Sequence, residues 1–444
     1  MVPEGMLEDV AASKREALDD YARYVNPQKV RVLRAAGLDI VEGERQGAWV
    51  TDADGRRLLD CFTSAGSFNV GRRHPRILDA ARDALDRLDH GNFLLASREK
   101  GALARRLAEI TPPGLECTMF GTGGGEAVDF ALKLARGASR RHKIVHTVNG
   151  YHGHTGLALS AAGRDAYREA FEPLVPGFVR VPFGDLGAAE AAIDGETAAF
   201  IVEPVQGEGG IRVSPPGYLE GVRRACDRTG ALLILDEIQT GFGRTGKWFA
   251  SEHFGVVPDI MTVAKSLGGS IVSLSATIFT EELREFLIPN PFVHLSTFGG
   301  SDLACAVGLE VLSVIEDEGL VENAATMGER LRHGLDAIAE SHPDVIAEVR
   351  SLGLMAGVQY REDAMGPRMS FNLGRHRVLA VYTGNEPSVM RIMPPLVIRE
   401  EEVDFLLEAF DKAIGDMLGG AGPELAEPSR PRRRPQRAGM PGTN

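Results

Sequence analysis

The chain has 444 residues, 43% hydrophobic and 25% charged, with 52 glycines and a net charge of −13. That length exceeds one simple core and implies two packed domains. The acidic balance argues against general binding of nucleic acid or anionic membranes, and no apolar run approaches the length of a membrane span.

Cys61, Cys117, Cys226 and Cys305 stand singly, with no C-x-x-C pair. This points away from a zinc site and towards reduced core thiols in a cytoplasmic protein. Met1 to Asp20 is charged and lacks an apolar h-region, so no secretory signal is expected.

In chain order, residues 1 to about 30 read as a polar helix with a turn at Asn26-Pro27. Leu38 to Asp60 favours short strands, and Asp54-Gly55 is a hairpin signal. Helices follow from Pro75 to about Leu88 and from about Lys100 to Ile110. Met119-Phe120 then closes a strand on Gly121-Thr-Gly-Gly-Gly125, which opens a helix with apolar residues at Val128, Ala131, Leu132 and Ala135. A glycine run at a helix N-terminus is an anion-binding device, although plain tight turns use the same glycines. A dinucleotide reading fits poorly, because Glu126 stands where the third glycine should be.

Lys143–Val148 reads as a strand leading to Tyr151-His152-Gly-His154. A metal site is not expected there, since no third ligand lies nearby. Thr197–Val202 is a buried strand ending at Glu203, and a helix from Pro215 to about Gly230 follows it. Leu232-Leu-Ile-Leu-Asp236-Glu-Ile-Gln239 is a short apolar run closing on charge, which reads as a buried parallel strand opening into a site. Ligands of open α/β sheets sit at such carboxyl ends. A second run, Asp259–Ala264, delivers Lys265. A lysine and an acid at neighbouring strand ends suit pyridoxal phosphate, which needs an amine for its Schiff base and an acid beside its pyridinium nitrogen. On spacing alone a solvated turn and a surface lysine are the commoner reading, and the rest of the chain has to decide.

Alternating strands and helices from about 117 to 275 predict a mainly parallel sheet with helices on both faces. A long helix begins near Leu303. From about 326 the pattern changes to a helix to Glu340, strands at 353–360 and near Val389–Met393, and a closing helix from about Glu401 to Leu418. Residues 420–444 turn to Gly, Pro and Arg and read as a disordered tail.

Four blocks now stand in order: V-E-P-V-Q-G-E-G-G (202–210), L-L-I-L-D-E-I-Q-T-G-F-G-R-T-G (232–246), P-D-I-M-T-V-A-K-S-L-G-G (258–269) and S-T-F-G-G (296–300). Together they resemble the class III (ω-type) aminotransferases of fold type I, over about Gly37 to Leu418. The finer likeness, at Phe68–Gly71, Leu174–Phe178 and Val181–Gly184, is to the putrescine and ornithine branch.

The resemblance implies a large pyridoxal-phosphate-binding domain over 76–325. It also implies a smaller α+β domain built from 1–75 and 326–419. Lys265 would carry the cofactor and move the proton, and Asp236 would keep the pyridine nitrogen protonated. Gln239 would lie near the ring hydroxyl, Tyr151 would stack on the ring with His152 beside it, and Glu203 would support the site. Gly124 and Gly125 would bind the phosphate, joined by Thr297 of the neighbouring subunit in a homodimer. Glu208 and Arg391 would form a gate admitting either an amine donor or the carboxylate of a 2-oxo acid.

Two positions depart from the family pattern. Gly125 stands where a phosphate-binding threonine is usual, and Ser301-Asp302 replaces Asn-Pro. An aminomutase of the same fold, a non-catalytic descendant, and an aminotransferase acting on an intermediate of specialised metabolism are the competing readings.

Overall fold

The computed structural model describes residues 4–422; the arginine-rich tail expected to be disordered lies, from 423 on, outside the described residues. The N-terminal segment is two helices, Glu4–Tyr24 and Pro27–Ala35. Asn26 explains the break. Its side chain accepts from Lys29 N at 3.0 Å, and Pro27 takes a first-turn position where its missing N–H leaves no bond unmade. Strands β1 (Glu42–Gln46), β2 (Trp49–Asp52) and β3 (Arg57–Asp60) then form an antiparallel meander. Gly55 turns the second hairpin at φ +84°.

The large sheet is assembled from β4 (Leu115–Gly121), β5 (Lys143–Thr147), β6 (Phe178–Val181) and β7 (Thr197–Val202). A small hairpin, β8 (Val205–Gln206) with β9 (Arg212–Val213), precedes its remaining strands, β10 (Leu232–Asp236), β11 (Ile260–Val263) and β12 (Ser275–Thr280). The order across the sheet is β4-β12-β11-β10-β7-β5-β6. Only β12 runs against its neighbours, so the sheet is mainly parallel, as the alternation of elements requires.

Both faces are covered, which is why its strands read as unbroken apolar runs. Along β7, Ala199 and Ile201 pack into the cluster under helix Gly124–Ser139. Phe200 and Val202, on the opposite face, join Tyr218, Leu219 and Val222 of helix Tyr218–Thr229. This is the two-residue period of a strand buried on both sides.

The last hundred residues build a second, antiparallel sheet from β13 (Ile346–Leu352), β14 (Met355–Tyr360), β16 (Val381–Tyr382) and β17 (Val389–Ile392), in the order β13-β14-β17-β16. The remaining strand, β15 (Val378–Leu379), leaves that sheet and pairs parallel with Leu59 and Asp60 of β3. The N-terminal meander is thus completed by a strand from the other end of the chain. Helix Met365–Arg375, with Gly366 and Pro367 in its first turn, has no counterpart in the sequence reading.

Candidate active site

The carboxyl ends of β10 and β11 open into a cavity of about 470 Å³. Asp236 is the last residue of β10 and is buried. Its Oδ1 accepts from Ile238 N at 3.2 Å and from Thr262 Oγ1 at 3.0 Å. Its Oδ2 lies 2.7 Å from His152 Nδ1. Burial works against a charged His152 ring, but the hydrogen bond and charge of Asp236 outweigh it and raise the imidazole pKa. His152, expected beside the cofactor ring, therefore touches the carboxylate and fixes it.

Lys265 follows β11 with φ +49°, a left-handed conformation uncommon for a residue with a side chain. Strain of this kind gathers at functional sites. Burial is the main force pushing its ammonium down to about 8; Arg391 adds to it, while Glu208, Asp236 and Glu203 oppose. An amine shifted this way releases its proton far more readily near neutral pH than an ordinary lysine does, which activates it as a nucleophile.

Glu203, just beyond β7, accepts from Tyr151 N at 2.9 Å and from Gly207 N at 3.2 Å. Burial lifts its carboxyl to about 7. Gln239 donates from Nε2 to Ala65 O at 3.0 Å, and its buried Oε1 has no partner. Tyr151 lines the cavity. Its ring packs edge-on against His154 (5.4 Å) and Tyr167 (6.1 Å).

At the opposite wall, β4 gives way to helix Gly124–Ser139, with Gly123 as its N-cap. Gly124 and Gly125 line the cavity with amides at the positive end of the helix. A Cβ on Gly125 would lie 2.8 Å from Thr155 Oγ1 and 3.1 Å from its methyl. Thr155 thus fills the room that a threonine at 125 would need. Glu126 folds back to accept from Thr122 N (2.6 Å) and Thr122 Oγ1 (2.7 Å), closing the turn with a carboxylate rather than a third glycine.

Arg391, on β17, donates from Nη1 to Glu208 Oε1, and its guanidinium lies 5.0 Å above the Phe62 ring. Burial alone would raise the Glu208 carboxyl; the charge and hydrogen bond of Arg391 hold it below its usual range.

Thr297 is exposed and stands apart from the residues lining this cavity. Ser301 caps the next helix, accepting from Ala304 N at 3.3 Å. Asp302 N donates to His90 O at 3.2 Å, a bond that a proline there could not make.

Residues 34–414 match the family model of the class III aminotransferases. The chain belongs to that family. Class III aminotransferases are pyridoxal 5′-phosphate enzymes, and this aminotransferase is a transferase of the same cofactor class. It is 45% identical over 401 residues to an uncharacterized aminotransferase of Archaeoglobus fulgidus, covering 90% of this chain and 94% of that one. The ornithine aminotransferase of Toxoplasma gondii superposes with a TM-score of 0.82 at 34% identity, over 86% of this chain and 92% of that one. An (S)-enantioselective omega-transaminase of Thermomicrobium roseum gives 0.84 at 34% identity, over 91% and 99%.

Several residues of the aminotransferase site were not foreseen. Thr262 bonds Asp236 because the β10–β11 register sets them opposite each other, and sequence spacing alone does not give register. Phe62 and Ala65 come from the chain before the large sheet, Tyr167 from the short helix Asp165–Arg168, and Thr155 from the N-cap of helix Gly156–Ser160.

Proposed function

We propose that this aminotransferase moves an amino group from a terminal amine, a diamine such as putrescine or an ornithine-like ω-amine, to a 2-oxo acid, 2-oxoglutarate being favoured. The observation that carries the reading is one cavity lined by half-buried Lys265, the hydrogen-bonded Asp236 and Glu208, whose carboxylate is paired with Arg391.

The residues fit the cofactor. Gly124 and Gly125 offer amides to its phosphate, the unpartnered Gln239 Oε1 can accept from its ring hydroxyl, and Tyr151 can cover its ring. Asp236, held by three donors, keeps a proton on the ring nitrogen. When bound, the cofactor supplies an electron sink for the carbon that loses a proton. Lys265 Nζ takes the proton from the substrate Cα and returns it. Glu203 fixes the backbone of Tyr151. Arg391 binds the carboxylate of the oxo acid through its planar fork, and Glu208 neutralises it when an amine occupies the pocket. An acceptor site of this kind favours transfer over the aminomutase reading.

Thr297 belongs to the phosphate site of a partner in a homodimer, a reading supported by the exposed Phe292, Leu295 and Phe298 around it. Four free cysteines suit a cytoplasmic enzyme.

The test is the visible spectrum of the holoenzyme in two half-reactions. Putrescine or ornithine should discharge the cofactor band, and 2-oxoglutarate should restore it. A band that both amines leave unchanged would overturn the donor class. Discharge with no recovery on any oxo acid would overturn the transfer.

A further inference from the structure

The glutamate–arginine pair has a third member. Glu208 Oε1 is occupied by Arg391, but Oε2 accepts from Gly384 N at 2.9 Å. The backbone of the same two segments is tied again, Asn385 N donating to Glu208 O at 3.0 Å. The 383–386 turn is itself held from outside. Arg164 Nη1 donates to Gly384 O and Asn385 Nδ2 donates to Asn149 O at 2.9 Å, while within the turn Thr383 Oγ1 donates to Glu386 O at 2.7 Å. A Cβ on Gly384 would stand 3.0 Å from both Glu208 Oε2 and Tyr167 Oη. Glycine at 384 therefore leaves room for the carboxylate to reach the amide.

We propose that the Gly384 amide is a latch that holds Glu208 over Arg391, and that it sets how the site divides its affinity between amines and dicarboxylates. Arg391 is released to a substrate carboxylate only when Glu208 gives up both of its bonds. The bond to Gly384 is lost on opening and remade on closing, so its strength biases the gate towards the closed, amine-accepting form. The bond is charge-assisted and partly shielded from solvent, the conditions under which a single amide matters. Gly384 is a positioning residue here, acting through Glu208. The inference rests on the gate reading of Glu208 and Arg391.

The test uses the holoenzyme with three variants: Gly384→Ala, Glu208→Ala and the double variant. The readouts are the dissociation constant of glutarate, a dicarboxylate that cannot react, and the KM and kcat of each half-reaction. A methyl at 384 should push Glu208 from the amide. Glutarate binding and the KM for 2-oxoglutarate should improve about tenfold, the ratio that corresponds to roughly 1.4 kcal/mol. The KM for the amine should worsen, with kcat little changed. In the Glu208→Ala background the same methyl should have no effect.

If Glu208→Ala shifts the preference towards dicarboxylates and Gly384→Ala does not, the latch is wrong and the gate stands. If Glu208→Ala shifts nothing, the gate reading falls and the latch with it. An equal effect of the methyl with and without Glu208 would also overturn the latch, since it would then act on the pocket directly.

Discussion

At the scale of single residues, the departure at Gly125 is the sharpest point of chemistry. Restoring the family threonine would not simply add a phosphate ligand, because Thr155 Oγ1 lies 2.8 Å from where its Cβ must go. Gly125→Thr is expected to weaken pyridoxal phosphate binding in the apoenzyme, by roughly tenfold for 1–2 kcal/mol of overpacking. Thr155→Ala in the same chain should recover most of that loss. Titration of cofactor fluorescence across the four proteins measures the coupling, and additive effects would show that the two side chains do not compete. Lys265, Asp236 and Gln239 stood out in the sequence because each carries a charge or amide beside the end of an apolar run, whereas Glu208 and Arg391 were singled out only by the resemblance to the family, since Arg391 lies inside a strand. Thr155 as an occupant of position 125 was not legible, since a contact between a cap residue and the first turn of a distant helix leaves no periodic signal. The bond from His152 to Asp236 was hidden too: His152 lines the cavity next to Tyr151, but its partner lies on another strand.

Between elements, the piece that ties the chain's distant segments together is Arg244, in the turn after β10. It is fully buried. Its Nη1 reaches Leu354 O at 2.9 Å and also Pro394 O, and its Nη2 reaches Asn69 Oδ1 at 2.7 Å. One guanidinium thus joins the N-terminal segment, the turn beyond the large sheet and the C-terminal sheet. Burial drives its pKa down to about 9, with the charge of Asp60 opposing. Arg244→Ala strands three buried acceptors and leaves a cavity, at a cost of about 3–5 kcal/mol. Asn69→Ala removes one partner and should cost about 1–3 kcal/mol. Midpoints of chemical denaturation report both, and a change below about 1 kcal/mol for Arg244→Ala would show that water replaces the tie. Helix and strand positions were largely legible, because β7 and β10 are apolar runs bounded by glycine, proline or acid. The reversed insertion of β12 between β4 and β11 was not, since strand order depends on long-range pairing that no local pattern encodes. Helix Met365–Arg375 was hidden by the glycine and proline of its own first turn.

For the whole molecule, the pairing of β15 with β3 shows how two chain ends make one body, and the same logic extends to the unpaired apolar face. Phe298 is 55% exposed and stacks edge-on against His90 at 5.1 Å. Leu94 and Leu95, 58% and 66% exposed, lie a few residues along the chain from His90. Apolar side chains gathered this way, with Thr297 among them, are what an interface with a second copy requires. If that interface also completes the phosphate site, assembly and cofactor retention must be linked, because a ligand bound across two chains stabilises their association by mass action. Phe298→Glu places a charge in the face and should shift the molar mass measured by light scattering from dimer to monomer. The monomer should lose pyridoxal phosphate on dialysis. Thr297→Ala, with the face intact, should stay a dimer yet hold the cofactor more weakly, by about tenfold for one charge-assisted bond. A dimer that survives Phe298→Glu would place the interface elsewhere. A monomer that keeps its cofactor as tightly as the native protein would show that each chain holds its phosphate alone, through Gly124, Gly125 and the helix they open.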